Sequence, residues 1–372
     1  MFIDYVNDKS LDGIKKQHNI MVFIGNGFDI SLLSKYRKDK LVSSYSKFYD
    51  YLCYKGFNAS NVLFQKMAED KKNGKENWSD FENSLGELIQ VGIPPQDLYN
   101  ALREIQNMFL LFLNEIVSPE ILLQVNKKAE VNQWGINALS RFLGDLDEKD
   151  YDLIAFPEET YHYDMYNYLF VNFNYTSLFD NYIYLDRGQF DPHKHKTVPT
   201  NFSFMPNPNG YNKTGCDERT VWSSLIMTDT IHPHGYQNIP RSLLFGIEDE
   251  AYKDDRKLNK FNKSYWAQNN LKYKKYFDDA RLFIIYGTSL GKTDSWWWKN
   301  VYNSLLNTNS ELIIYYYNNC SCDQEYVKEL FINTCADSLD KDEVQKVKSK
   351  IFVVLYTNSR DHNMFQLEDS SL

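Results

Sequence analysis

Six short apolar runs punctuate the chain, each bounded by Gly, Asn or a charged residue: IMVFIG from Ile20, YLFVNF from Tyr168, RSLLFG from Arg241, RLFIIYG from Arg281, ELIIYYY from Glu311 and IFVVLY from Ile351. Unbroken apolar runs of this length, rather than alternation, are what parallel strands covered on both faces require. Between the first two runs the pattern turns helical. Ser79 followed by Glu82 has the spacing of a capping box, and Phe81, Leu85 and Leu88 then share one face. Leu98, Leu102, Ile105, Phe109, Phe112 and Ile116 form a longer apolar stripe at helical spacing, as do Trp297, Val301 and Leu305 near the end of the chain. The predicted fold is α/β: a Rossmann-like, mostly parallel sheet with helices on both faces and a large helical insertion after the first βα unit. The nucleotide-binding core is expected over 18–50 and 165–360, and the insertion over 51–150. The segment 187–220, rich in Pro, Asn, Gly and Lys and without a period, is expected to be an irregular excursion and is a candidate lid.

Composition narrows the function classes. With 43% hydrophobic and 16% aromatic residues, apolar burial is ample and a disordered chain is excluded. A formal charge of -9 counts against broad electrostatic affinity for nucleic acid, which needs Lys and Arg to displace counterions. No signal-peptide pattern and no apolar window long enough for a bilayer is visible, so a cytoplasmic protein that does not enter a membrane is expected. The five cysteines are odd in number and scattered, which fits reduced thiols. Cys320 and Cys322 stand one residue too close for a CxxC knuckle, and Asp191, His193 and His195 belong to DPHKHK, where Lys194 and Lys196 beside the histidines disfavour a cation and the segment reads as a solvated loop. No metal site is expected.

The chemistry is expected at strand ends. Ile20 to Gly27 runs from a buried strand into Gly25-Asn26-Gly27, with Asp29 or Ser31 placed to cap a following helix. Two glycines there would let backbone approach a phosphate at a helix N-terminus, although the third glycine of GxGxxG is missing. Other polar clusters follow later runs: Asn172, Phe173, Asn174, Tyr175 and Thr176; His234 before Gly235; FGIE from Phe245 to Glu248; and YGTSLGKTD from Tyr286 to Asp294. In open α/β sheets ligands bind outside the carboxyl ends of the strands, so these clusters are expected to converge on one crevice. Each residue has a bland reading beside the sharp one. His234 is a general base or a hydrogen-bonded strand-end histidine, with His232 more suited to framing the turn at Pro233. Asn174 positions a water or satisfies exposed backbone, and Asn172 shares its strand face. Asp294 reads first as a helix N-cap, and Asp29 divides between capping, a ribose contact and a catalytic carboxylate.

The ordered set GNGFD, FNYT, HG, FGIE and GTSLGKTD, with NWSDFE from Asn77, resembles the AbiH family of bacterial phage-resistance (abortive-infection) proteins over Gly25 to Asp294. A more distant resemblance links it to sirtuins and sirtuin-like NAD hydrolases. That resemblance implies that Gly25, Asn26 and Gly27 meet the pyrophosphate of NAD, that Asn174 lies near the nicotinamide ribose and that His234 is the base. Gly287, Thr288 and Ser289 would contact the adenosine half. Phe28, Tyr175, Thr176, Gly235 and Asp294 belong to the same motifs and count as ligand-binding candidates. The chain departs from sirtuins in lacking a zinc module between HG and FGE, so deacylation is not expected. Thr176 stands where Asp is common, and Asp29 where sirtuins carry a small residue. The implied activity is hydrolysis of NAD, or a related nucleotide, at the nicotinamide–ribose bond. The alternatives are a nucleotide-sensing module and, with less support, a nuclease. A phage trigger and a homo-oligomer are the implied partners. Trp78, Asp80 and Glu82 raise the further expectation that an insertion helix folds over the crevice and supplies an acid.

Overall fold

The computed structural model describes residues 2–7, 11, 13–75, 77–185, 191, 198–213, 215–248, 255–318, 322–335, 340–357 and 362–367. Seven strands form one sheet: β1 (Gln17–Ile24), β2 (Met165–Asn172), β3 (Phe202–Phe204), β4 (Trp222–Ile231), β5 (Leu282–Tyr286), β6 (Glu311–Tyr317) and β7 (Ile351–Tyr356), in the order β3-β4-β2-β1-β5-β6-β7. Every pairing is parallel except β3 with β4. Eight helices intervene between β1 and β2: α1 (Asn26–Tyr36), α2 (Tyr45–Tyr54), α3 (Val62–Lys72), α4 (Trp78–Gln90), α5 (Pro95–Ile116), α6 (Pro119–Asn132), α7 (Trp134–Arg141) and α8 (Glu148–Leu153). The later ones are α9 (Leu178–Ile183), α10 (Lys263–Trp266), α11 (Asn269–Lys272), α12 (Lys274–Asp279), α13 (Ser295–Asn307), α14 (Gln324–Cys335) and α15 (Lys341–Lys348).

The apolar runs are continuous because each strand is covered twice. Ile20, Val22 and Ile24 join a core that takes in the α2, α4 and α5 stripes, all six expected α5 positions included. Met21 and Phe23, on the opposite face, join a second core with Trp297, Trp298, Val301, Phe331 and Val347. Successive residues of a strand point to opposite sides, so one run feeds two cores. No single helix among the described residues is long and apolar enough to cross a membrane.

Four expectations need correction. RSLLFG is not a strand: Pro240–Ser242 is a 3-10 turn, and Leu243, Leu244 and Phe245 are buried in irregular backbone. Phe245 is apolar because it packs on Trp78, Phe81 and Phe109. FGIE therefore does not follow a strand. The strand that neighbours β2 is β4, whose sequence WSSLIMTDTI is too polar to read as a buried run because only the three-residue β3 lies outside it. The 187–220 excursion contains β3; His193 and His195 lie outside the described residues. Finally, α4 starts at Trp78 with Asn77 as its N-cap, and the Asp80 carboxylate accepts from the Asn77 N–H at 3.0 Å. The cap is thus two residues earlier than the Ser79–Glu82 spacing indicates, which releases Glu82 for another role.

The topology also places a crevice at one end of the sheet. From β1 the chain order moves one way, to β2 and β4, whereas β5, β6 and β7 extend the other way, so the order reverses between β1 and β5. Ile24 is level with Asn172 on one side and Tyr286 on the other, and Ile231 is level with Val171. Four strands end together, and the loops leaving them splay apart at this reversal, leaving a crevice.

Candidate active site

A cavity of about 240 Å³ opens at this reversal. The loop after β1 supplies Gly25, Asn26, Gly27 and Asp29, that after β2 supplies Asn174, Tyr175 and Thr176, and that after β5 supplies Gly287, Thr288, Ser289 and Asp294, with His234 following β4. The crevice expected from the sequence therefore exists. Two candidates do not line it. Phe28 turns into the core against Phe179 and Tyr182, and Gly235 serves the turn behind His234, where at φ +98° any Cβ would strike the Ser242 carbonyl.

The glycine loop is held by backbone. Gly25 N–H donates to the Tyr286 carbonyl and Gly27 N–H to the Gly287 carbonyl, each at 2.8 Å, while Phe28 N–H donates to Gly25 O at 3.1 Å. A Cβ on Gly25 would lie 2.4 Å from Gly287 O, so glycine is required by the approach of the β1 and β5 loops to each other. The Asn26 side chain is also committed, donating to the Ser43 carbonyl at 3.0 Å and accepting from the Ser43 hydroxyl at 2.6 Å. The amides expected to cradle a pyrophosphate are thus largely engaged within the protein.

The charged groups form a chain across the cavity wall. His234 stacks on Phe173, with ring centroids 4.9 Å apart, and its Nε2 lies 3.0 Å from Asp294 Oδ1. The same Asp294 oxygen accepts from Lys263 Nζ at 2.9 Å, and Lys263 reaches Glu82 Oε1 at 2.8 Å. Lys263 and Glu82 are buried. Burial alone would lower the Lys263 ammonium, but Asp294 and Glu82 hold it above its ordinary value. Burial likewise works to raise Asp294, and Lys263 and His234 together keep it below the usual carboxylate range. Glu82 goes the other way: burial raises it, against the pull of Lys263. Of the two carboxyl groups sharing one ammonium, Glu82 is the one that takes a proton first. Asp294 stands at the N-cap of α13 but makes no side-chain cap bond. Its carboxylate faces His234 and Lys263 instead, which corrects the capping reading.

Asp29 and Thr176, the two substituted positions singled out in the sequence, meet. Thr176 Oγ1 donates to Asp29 Oδ2 at 2.6 Å. Asp29 is 1% exposed, and its Oδ1 has no partner among the described residues. Burial pushes this carboxyl up to about 7, against the Thr176 hydrogen bond. Thr288 Oγ1 is a second buried polar atom of the cavity wall without a partner among the described residues. Asn174 donates from Nδ2 to Gly25 O at 3.1 Å and its backbone N–H to Asn172 Oδ1 at 3.0 Å. His232 bridges Asn174 O (3.2 Å) and Asp180 (3.0 Å), framing the turn.

Lys263 carries no local motif, sitting in a short helix far from every glycine loop. The signal for Glu82 was present in NWSDFE but absorbed by the capping pattern. Among the described residues no group of three or more His, Cys, Asp or Glu side chains is arranged as a metal site.

Residues 21–316 match a family model described as bacteriophage abortive infection AbiH. No curated protein matches the chain.

Proposed function

The chain belongs to the AbiH family of bacteriophage abortive-infection proteins, and from that premise we propose that it binds NAD or a related nucleotide in the crevice and hydrolyses the nicotinamide–ribose bond. The observation that carries this reading is the buried chain His234–Asp294–Lys263–Glu82 opening onto the cavity at the reversal of strand order. With its Nε2–H donated to Asp294, His234 keeps a lone pair on Nδ1 for a proton. Asn174 has spent an amide hydrogen on Gly25, so its Oδ1 is the atom that can hold a water. The glycosidic bond breaks with its electron pair passing to the pyridinium nitrogen. Nicotinamide leaves neutral, the water oxygen bonds to the anomeric carbon, and its proton goes to His234. The resemblance to sirtuin-like NAD hydrolases supports the choice of bond, and the role in phage defence follows from the family.

Incubation of the purified protein with NAD, followed by chromatography of released nicotinamide, tests this. The parent releases nicotinamide, and His234→Ala lowers the rate by about 100-fold or more, the usual contribution of a general base. Undiminished release by His234→Ala would overturn the assignment.

A second reading is a nucleotide sensor without turnover. It is favoured by the engaged Gly25 and Gly27 amides and by a cavity below the roughly 300–1,000 Å³ common for ligand sites. Ligand bound tightly and recovered unchanged would select it.

A further inference from the structure

Resting on the nucleotide reading of this site, we infer that the cavity takes only the N-ribosyl end of its ligand, a flat uncharged or cationic ring on a hydroxyl-bearing sugar, and that the phosphates remain outside it. Four independent observations point this way. The first is the hydrogen-bond inventory: Gly25 and Gly27 have already donated their N–H groups to backbone carbonyls, so the loop offers little to a phosphate. What the wall does offer is Asp29 Oδ1 and Thr288 Oγ1, both unpartnered among the described residues. A buried carboxylate oxygen without a donor calls for one, and a sugar hydroxyl supplies it.

The second is charge. Three carboxyl groups, Asp29, Glu82 and Asp294, line the cavity against one ammonium, Lys263, which is shared by two of them. A phosphate entering here would meet acceptors without a free cation. The third is size, since a cavity of about 240 Å³ lies below the roughly 300–1,000 Å³ of sites that enclose whole drug-sized ligands, which suits a ring with its sugar better than an entire dinucleotide. The fourth is the apolar wall. Trp78, Phe109, Phe173, Tyr175, Phe245 and Trp298 present ring surfaces, against which a flat base stacks and a cationic ring gains further. The pyridinium ring of nicotinamide riboside meets all four conditions.

The test uses the full-length His234→Ala protein, which lacks the proposed base and so holds the probe unconverted, in isothermal titrations with nicotinamide riboside, its 2′-deoxy analogue and inorganic pyrophosphate. The riboside is expected to bind within about tenfold of NAD, because the phosphates add little. The deoxy analogue should bind about tenfold more weakly, the value of one hydrogen bond to a charged group, and adding Asp29→Asn should shrink that difference. Pyrophosphate should neither bind nor compete with NAD. Pyrophosphate that competes with NAD, or a riboside that fails to bind, overturns the inference. Nicotinamide release by the parent reports separately on hydrolysis. Riboside binding without release removes the hydrolase reading and leaves this one, whereas release from NAD with no riboside binding does the reverse.

Discussion

Two buried carboxylates, Asp29 and Asp145, lie near the carboxyl ends of strands and differ in how they are satisfied. Asp145 Oδ1 accepts from the Asn363 N–H (2.6 Å) and side-chain amide (2.7 Å), and its Oδ2 from the Tyr315 hydroxyl and the Met364 N–H, each at 2.9 Å. Every acceptor is used, and the result is an anchor that pins the 362–367 segment against β6. Among the described residues Asp29 has one partner, Thr176, and one oxygen with none. Burial raises both carboxyls, so burial does not distinguish them. Spare capacity does. A buried acid whose oxygens are saturated holds the fold together, whereas one with an oxygen left over, facing a cavity, has an acceptor to offer a ligand.

The sharpest way to break this contrast is to remove the cation that makes the site's charge tolerable. Lys263→Met keeps the stem but leaves Glu82 and Asp294 facing each other in a buried place. Removing one partner of a buried ion pair costs about 3–5 kcal/mol, and a lowered urea midpoint with unchanged slope would register it. Part of that loss should return in Lys263→Met/Glu82→Gln, which removes the carboxyl that is easiest to protonate. No recovery in the double variant would mean that the cost lies in packing around the Lys263 stem.

The direct comparison is Asp29→Asn against Asp145→Ala. A folded-state value of about 7 for Asp29 lies above the unfolded one, so its contribution to stability is present below about pH 4 and is lost as pH rises through 7. By pH 8 the ionised carboxylate costs up to about 4 kcal/mol relative to a neutral group. Asn still accepts from Thr176 but does not ionise. Asp29→Asn should therefore leave stability near the parent's at pH 4 and raise it at pH 8, while weakening riboside binding. Asp145→Ala should do the opposite: stranding the Tyr315 hydroxyl and the Asn363 and Met364 amides costs about 2–3 kcal/mol, with riboside binding unchanged. If Asp29→Asn destabilised the protein at pH 8, Asp29 would be an anchor like Asp145.

The sequence exposes these regions unequally. β1, β2, β5, β6 and β7 were legible because burial on both faces writes itself as unbroken apolar runs, and the α5 stripe because one helical face is buried. β4 was hidden by its place near the sheet edge, where polar residues are tolerated, and Leu243 to Phe245 imitated a strand because three consecutive residues are buried in a loop. At the site, residues carried by glycine turns at strand ends could be grouped in advance. Lys263 could not, because the contact that gives it meaning spans 181 positions to Glu82. Asp145 has no local signal either, since its partners Asn363 and Met364 lie more than two hundred residues away.

The smallest expected effect concerns the helix that carries Glu82 into the site. Asp80 closes the first turn of α4 by accepting from the Asn77 N–H, two residues from both Trp78 and Glu82. Trp78 is tied to the Ser43 carbonyl at 2.9 Å, and Ser43 in turn to Asn26 of the glycine loop, so the start of α4 and the cavity rim are one hydrogen-bonded unit. Asp80→Ala removes the cap alone and should cost about 1 kcal/mol in a urea titration. Because Trp78 and the Lys263–Glu82 pair hold the helix from either side, riboside affinity should fall by no more than about threefold, well under the tenfold of one lost hydrogen bond. A larger loss of affinity than of stability would mean that the insertion helix reaches the ligand through its first turn, and the spare capacity assigned to Asp29 would then be shared with α4.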